Sequence, residues 1–127
     1  MFLLELRFNE LVLKEYNLEN GDRLTIGRHP DNDIVPKDAI VSNHHAIIEG
    51  KGEKLIVVDK DSKNGTFVNG IKVQSAELEN EDIVEIGNEL NLKVWAFSLK
   101  KRKSIAAQED DDKSAVFSTI ERALNKL

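Results

Sequence analysis

The sequence predicts an all-β domain, an antiparallel sandwich or barrel, followed by a charged tail with one short helix. Two observations carry this prediction. From residue 2 to residue 99, apolar and polar side chains alternate in short runs, and no run before residue 104 has helical spacing. Clusters of Gly, Pro, Asn and Asp separate these runs at intervals of about 8–12 residues, which is typical of antiparallel all-β folds. Together they indicate roughly ten short strands.

The first strands are predicted from alternation that stops at turn residues. Residues 2–8 and 10–16 alternate around Asn9-Glu10, so they form two half-buried strands joined by a tight turn. A third strand covers residues 23–26 and ends at Gly27. The loop after it is rich in Pro and Asx residues, which favour turns. A short strand at residues 33–36 and a second loop at 37–43 follow.

The second half of the domain contains the clearest hairpin. Residues 45–49 and 54–59 are rich in β-branched side chains and flank a glycine-containing turn. Residues 67–73 are centred on Asn69-Gly70, a pair that fits the two-residue type I′ turn of a β-hairpin. Alternation resumes at residues 82–86, and a longer strand at 90–99 carries the single tryptophan, Trp95.

The pattern changes after residue 99, so we predict a β-domain over residues 1–103 and a tail over 104–127. A basic cluster at 100–103 and an acidic run at 108–112 precede a segment with helical spacing. Its apolar positions are Val116, Phe117, Ile120, Ala123, Leu124 and Leu127. A helix of about 14 residues is marginal alone in water. We therefore expect the tail to pack on the domain, to mediate self-association or to fray.

Composition excludes several classes of function. The net charge of −5 leaves no basic stripe for nucleic acid, and the lack of cysteine excludes disulfides and thiolate metal sites. The longest apolar runs are too short for a signal peptide or a membrane span. The sequence therefore predicts a cytoplasmic protein without a metal or another cofactor.

Polar residues at strand ends form a candidate anion site. Arg28 opens the loop after the third strand, and Ser42, Asn43, Lys63 and Asn64 lie in later loops. A guanidinium offers a fork of donors that matches phosphate oxygens. Each of these residues alone is more often an ordinary surface or turn residue. Their combination suggests an anion site if the loops converge.

Two other interpretations, a hydrolase active site and a metal site, are disfavoured by the sequence. Ser42 and His45 invite a hydrolase interpretation, but there is no Gly-x-Ser-x-Gly elbow and no evident third group to orient the base. His44 and His45 are adjacent on a predicted strand entrance, where side chains alternate between faces, so they cannot easily share a metal ion. The preferred interpretation of His45 is structural: an imidazole that forms hydrogen bonds with the loop backbone.

The order and spacing of four motifs resemble the forkhead-associated (FHA) domain family. The motifs are Ile26-Gly27-Arg28, Asn32-Asp33-Ile34, Val41-Ser42-x-x-His45-Ala46, and Asn64-Gly65-Thr66-Phe67-Val68-Asn69-Gly70. Each motif alone is weak, whereas the set is specific and the domain length also fits. The resemblance implies an eleven-stranded β-sandwich whose loops at one end bind phosphothreonine.

The resemblance also implies a role for each matching residue. Arg28 and Ser42 are expected to contact the phosphate, helped by Asn43 and Lys63, while Asn64 bonds the peptide backbone. The loop-shaping residues are expected to be Gly27, His45, Gly65, Thr66 and Asn69. There are two departures from the family pattern. Asn43 stands where many members have arginine, and Glu81-Asp82 stands where many have Gly-Asp.

The function expected from these observations is that of a non-catalytic signalling adaptor. Its partner would be a threonine-phosphorylated protein or peptide, a substrate of a Ser/Thr kinase, rather than a nucleic acid or a membrane. Phosphothreonine supplies about −1.5 to −2 charges and three acceptor oxygens. The alternative is a phospho-independent interaction or assembly domain on the same fold.

Overall fold

A computed structural model describes residues 1–97, which form ten β-strands. The strands are β1 (Phe2–Phe8), β2 (Leu11–Leu18), β3 (Arg23–Ile26), β4 (Ala46–Lys51), β5 (Lys54–Asp59), β6 (Thr66–Val68), β7 (Ile71–Val73), β8 (Ser75–Leu78), β9 (Ile83–Ile86) and β10 (Leu90–Ala96). The predicted domain boundary at 103, the predicted tail helix and the end of the last predicted strand lie outside the described residues. No helix long and apolar enough to cross a bilayer occurs within residues 1–97.

The strands form two antiparallel sheets, so the prediction of an antiparallel β-sandwich is confirmed. One sheet has the order β2-β1-β10-β9-β6-β7 and the other the order β3-β4-β5-β8. Their inward side chains form one core. Leu4 and Val94 from the larger sheet and Ile48, Leu55 and Val57 from the smaller one are completely shielded from solvent. Burying each such side chain contributes about 1.5–3 kcal/mol.

The predicted strand at residues 33–36 is reduced to a single bridge. Ile34 pairs with Ile26 in a parallel bridge, and no longer ladder forms there. The carboxylate of Asp33 instead accepts hydrogen bonds from the backbone N–H and hydroxyl of Thr25, and Pro36 has no N–H to extend a ladder. A strand that the pattern did not predict, β8, pairs with β5.

Two turns depend on residues with positive φ. Asn69 has a φ of 51° and Gly70 of 81°, as a type I′ turn requires, so the predicted β6–β7 hairpin is confirmed. Glu81 has a φ of 72°, the left-handed conformation that a glycine at this position adopts freely. The departure from the family pattern at Glu81 therefore changes the residue and keeps a glycine-like backbone.

Strand register brings the polar loops to one end of the smaller sheet. Ile26 at the end of β3 lies opposite Ala46 at the start of β4, and Ala46 lies opposite Asp59 at the end of β5. The β3–β4 loop (residues 27–45) and the β5–β6 loop (residues 60–65) therefore leave the sheet side by side. These two loops hold nearly all of the predicted site residues.

Candidate functional site

Arg28 is anchored through its backbone and through one guanidinium nitrogen. Its backbone N–H donates to the carbonyl of Ser42 at 3.0 Å, and its Nε donates to the carbonyl of Val41 at 2.6 Å. Within residues 1–97 no carboxylate forms an ion pair with Arg28. The side chain is exposed and directed by its Nε bond, which leaves its two Nη groups as donors for a ligand.

Gly27 permits the two ends of the β3–β4 loop to meet. A Cβ atom at this position would lie 2.1 Å from the carbonyl oxygen of Asn43, far inside van der Waals contact. The same carbonyl accepts hydrogen bonds from the backbone N–H of His29 and from Nδ2 of Asn32. The close approach places Asn43, whose side chain is exposed, directly beside Arg28.

The Ser42 hydroxyl joins the β3–β4 loop to the β5–β6 loop. Its Oγ accepts a hydrogen bond from the backbone N–H of Lys63 at 2.9 Å. The hydroxyl hydrogen is a separate donor, so it remains available for an acceptor outside the loops. Asn64 makes a second link, because its Nδ2 donates to the carbonyl of Ile40 at 2.7 Å and its Oδ1 stays free to accept.

The buried ring of His45 connects the two loops through hydrogen bonds to their backbones. The imidazole is 1% exposed. The backbone N–H of Ser42 donates to Nδ1 at 3.1 Å, and Nε2 lies 2.8 Å from the carbonyl of Gly65. Since a backbone N–H can only donate, Nδ1 must accept, and the proton must be on Nε2 to reach the carbonyl. Both ring nitrogens are therefore used in holding the loops at a fixed separation.

The geometry gives no support to the hydrolase or metal interpretations. His45 bonds the backbone of Ser42 rather than its hydroxyl, and no ring nitrogen remains to act as a base. His44 is exposed and stacks on His29 with ring centroids 5.2 Å apart. In the described part of the chain, no group of three or more His, Cys, Asp or Glu side chains is placed to hold a metal ion.

A buried carboxylate organises the β5–β6 loop. Asp59 accepts hydrogen bonds from the backbone N–H of Ser62, from the Ser62 hydroxyl and from the hydroxyl of Thr66. Ser62 Oγ in turn accepts from the N–H of Gly65 at 3.0 Å. Burial raises the pKa of the Asp59 carboxyl, but the hydrogen bonds from Ser62 and Thr66 outweigh burial and hold the pKa below its usual value.

We expect Asp59→Asn to lower stability by about 1–3 kcal/mol at neutral pH, because an amide nitrogen would face donors where a carboxylate accepted. The wild-type carboxylate stabilises the fold above the unfolded-state pKa of about 3.9, and this contribution is lost as pH falls through the lower folded-state pKa. Urea unfolding between pH 7 and pH 2.5 measures both effects. If the stability of Asp59→Asn falls below pH 4 as steeply as that of the wild type, the Asp59 carboxylate is not the source of this pH dependence.

Most of the predicted site residues lie together, and one lies elsewhere. Eight of them lie in the two joined loops, and Thr66 follows directly as the first residue of β6; the eight are Gly27, Arg28, Ser42, Asn43, His45, Lys63, Asn64 and Gly65. Asn69 lies apart, across the length of β6. Its side chain bonds Asp82 and the N–H of Ile83, so it shapes the β6–β7 turn against β9.

Sequence reasoning assigned no role to two side chains that hold the loops, Asn32 within the second motif and Asp38 outside the motifs. Asn32 bonds the carbonyls of His29 and Asn43. Asp38 accepts from the N–H groups of Asn88 and Ile40, which hold its pKa below the usual value, and so ties the β3–β4 loop to the β9–β10 turn. An Asx residue in a loop signals a backbone bond of this kind, but the sequence does not say which backbone is reached.

The chain matches known proteins over the same region. The model of the FHA domain family matches residues 24–87, which is half of the chain. The glycogen accumulation regulator GarA of Mycolicibacterium smegmatis is 51% identical over 61 residues, which cover 48% of this chain and 39% of GarA. The match therefore spans well under half the length of that relative.

Solved structures extend the similarity to the whole sandwich. A domain solved in a study of phosphothreonine-dependent FHA domain interactions is 30% identical with a TM-score of 0.66, over 77% of this chain and 98% of that one. Mycobacterium tuberculosis EmbR, solved with a low-affinity phosphopeptide, is 28% identical with a TM-score of 0.65, over 76% of this chain and 24% of EmbR. With the family model, the shared loop motifs and this fold, the chain belongs to the FHA domain family.

Proposed function

We propose that this domain binds a threonine-phosphorylated peptide at the two joined loops and performs no catalysis. The observation that supports the proposal most strongly is the hydrogen bond from the backbone N–H of Arg28 to the carbonyl of Ser42, at 3.0 Å. It brings together two residues that are 14 positions apart in the sequence. In this proposal the Arg28 guanidinium, which has no ion-pair partner within residues 1–97, and the Ser42 hydroxyl hydrogen bind the same phosphate group. The phosphopeptide partners of similar FHA structures agree with this choice of ligand.

Each loop residue has a distinct part in this proposal. The Nη groups of Arg28 supply charge-assisted hydrogen bonds to two phosphate oxygens, and the Ser42 hydroxyl donates to a third. Asn43 and Lys63 add a polar and a cationic side chain at the rim. Asn64, already fixed through Nδ2, accepts a hydrogen bond from a peptide N–H. Gly27, His45, Gly65 and Thr66 hold this arrangement, while Asn69 acts at its own turn.

The prearranged loops favour binding because little freedom is lost in the protein. The peptide still loses its own conformational entropy, so we expect an affinity on the order of micromolar, or about −8 kcal/mol. The natural partner is then a protein phosphorylated by a Ser/Thr kinase, and the domain acts as an adaptor. We expect it to work in the cytoplasm, where such kinases act.

A peptide array tests the phosphate requirement. Each sequence is printed with threonine, aspartate and phosphothreonine at the central position and probed with the purified chain. We expect binding to phosphothreonine only, because aspartate offers one negative charge and two oxygens in a different shape. Equal binding of all three forms would instead favour a phospho-independent interaction domain and reject the proposal.

Binding should weaken at acidic pH because the phosphate gains a proton. The second phosphate pKa is about 6, so near pH 5 only about a tenth of the ligand remains dianionic. If Arg28 and Ser42 require the dianion, the apparent Kd rises about tenfold between pH 7.5 and pH 5. Isothermal titration calorimetry across this pH range measures the change in Kd, and circular dichroism checks that the domain stays folded. A constant Kd would contradict recognition of the dianion.

A further inference from the structure

The peptide units of Ile40 and Val41 hold two of the side chains to which the proposed function gives ligand contacts. The carbonyl of Ile40 accepts a hydrogen bond from Nδ2 of Asn64 at 2.7 Å, and the carbonyl of Val41 accepts one from Nε of Arg28 at 2.6 Å. Neither carbonyl belongs to a strand, because both lie in the β3–β4 loop. The directions of Arg28 and Asn64 therefore depend on what fixes this short piece of loop.

Asp38 accepts hydrogen bonds from the backbone N–H groups of both residues. Its Oδ1 accepts from the N–H of Ile40 at 3.1 Å, and its backbone carbonyl accepts from the N–H of Val41 at 3.0 Å. Because a peptide bond is planar and trans, the Ile40 carbonyl and the Val41 N–H belong to one rigid unit and point in opposite directions. That unit is bonded to Asp38 on one side and to Asn64 on the other. Asp38 is therefore connected to the Asn64 amide through one peptide unit.

The second carboxylate oxygen of Asp38 is bonded to a turn of the larger sheet. Its Oδ2 accepts from the N–H of Asn88 at 3.0 Å, in the turn between β9 and β10. A Cβ atom at Gly87 would lie 2.8 Å from the same oxygen, so this turn passes very close to the carboxylate. The β3–β4 loop itself begins and ends in the smaller sheet. The carboxylate therefore fixes the loop against the other sheet of the sandwich.

Small movements of the two carbonyls would be transmitted to the ligand-binding groups. The guanidinium of Arg28 is planar, so its bond at Nε restricts the plane that contains both Nη groups. The bond at Nδ2 of Asn64 in the same way restricts the direction of its Oδ1. Hydrogen bonds weaken steeply as their angle departs from linear. A loop that can shift at Ile40 and Val41 would therefore bind a phosphate and a peptide N–H less well, although every ligand-binding side chain is still present.

We propose that Asp38 is a positioning residue for phosphopeptide binding, which directs Arg28 and Asn64 toward the ligand through the peptide units of Ile40 and Val41. The inference rests on the proposed function and deepens it, because it adds a residue outside the four motifs whose effect passes through other side chains. Removal of the carboxylate should weaken phosphopeptide binding about tenfold, which is within the coupling measured between residues of one hydrogen-bonded network. An effect of charge alone would have the opposite sign, since a carboxylate repels a phosphate.

The test compares Asp38→Ala with Asp82→Ala in titrations with a phosphothreonine peptide selected from the array. Asp82 is the matched control, because its carboxylate also accepts two hydrogen bonds, from Nδ2 of Asn69 and from the N–H of Glu79, away from the two joined loops. Asp38→Asn is a milder variant that keeps one acceptor oxygen, for use if Asp38→Ala does not fold. Urea unfolding measures the stability of each variant, and the free ¹⁵N-labelled protein gives the hydrogen-exchange rate of the Arg28 Nε–H.

We expect Asp38→Ala to lose about a factor of ten in affinity, and Asp82→Ala to bind like the wild type at a similar loss of stability. The Arg28 Nε–H should exchange faster in free Asp38→Ala than in free Asp82→Ala. In an Asn64→Ala background, removal of the Asp38 carboxylate should cost less affinity than in the wild type, because one of its two routes to the ligand is gone. Unchanged or tighter binding by the folded Asp38 variants, or an equal loss in Asp82→Ala, overturns the role of Asp38 alone. Failure of every phosphopeptide to bind the wild type overturns the proposed function as well.

Discussion

Arg28→Ala is expected to weaken phosphopeptide binding by at least about 30-fold while the domain remains folded. Truncating one partner of a desolvated charge pair costs roughly 2–5 kcal/mol, or a factor of about 30 to several thousand in Kd. A complex with a Kd of about 1 μM would then have a Kd between about 30 μM and several millimolar. The departure at Asn43 increases the dependence on Arg28, because no arginine at that position shares the phosphate.

Arg23→Ala is the matched control for this experiment. Arg23 begins the same strand, β3, at its other end, and forms an exposed ion pair with Glu49 at 3.6 Å. Its removal should change neither peptide affinity nor stability by more than about 1 kcal/mol. Arg28→Lys adds a finer comparison, since lysine keeps the charge but loses the fork of donors and the Nε bond to Val41. Wild-type affinity in Arg28→Ala would remove this residue from the site.

Gly27→Ala should destroy the site through the backbone. Its Cβ would lie 2.1 Å from the carbonyl of Asn43 and 2.7 Å from Nδ2 of Asn32, so the two ends of the β3–β4 loop must separate. Overpacking of this kind costs about 1–3 kcal/mol or more in stability. Separation also breaks the alignment of Arg28 with Ser42, so the folded fraction should bind phosphopeptide at least tenfold more weakly, measured by titration below the unfolding transition.

Gly50→Ala separates the loss of stability from the loss of the site. Its Cβ would lie 2.0 Å from the carbonyl of Glu19, a clash equal to that at Gly27. Gly50 is in β4, four residues from the site end of the strand, or about 13 Å away. We expect a comparable loss in thermal stability with unchanged affinity in the folded fraction. Unchanged affinity in Gly27→Ala as well would show that the loop junction does not control binding.

Much of the fold follows from local pattern. Alternation in β1 and β9 and the β-branched side chains of β4 and β5 were sufficient because each strand buries one face in the common core. The Asn69-Gly70 turn was predictable because few sequences tolerate two successive positive φ values. The strand predicted around Ile34 reduced to one bridge, since a tertiary bond from Asp33 to Thr25 outweighed local preference.

The candidate site was harder to derive from local pattern. The motifs gave the identities of the residues, and the convergence of their loops depends on the pairing of β3, β4 and β5, which alternation does not specify. The hydrogen bond that Asp38 accepts from the N–H of Asn88 joins residues 50 positions apart, whose proximity exists only in the folded chain.

The most direct test of the account is a pair of amide-resolved NMR titrations. Uniformly ¹⁵N-labelled chain is titrated with a phosphothreonine peptide selected from the array and with its unphosphorylated copy. We predict large, saturable shifts of the Arg28, Ser42 and Lys63 amides with the phosphopeptide, and none with the copy. Saturable shifts confined to the other end of the sandwich, or identical shifts with both peptides, would contradict a shared phosphate site on these two loops.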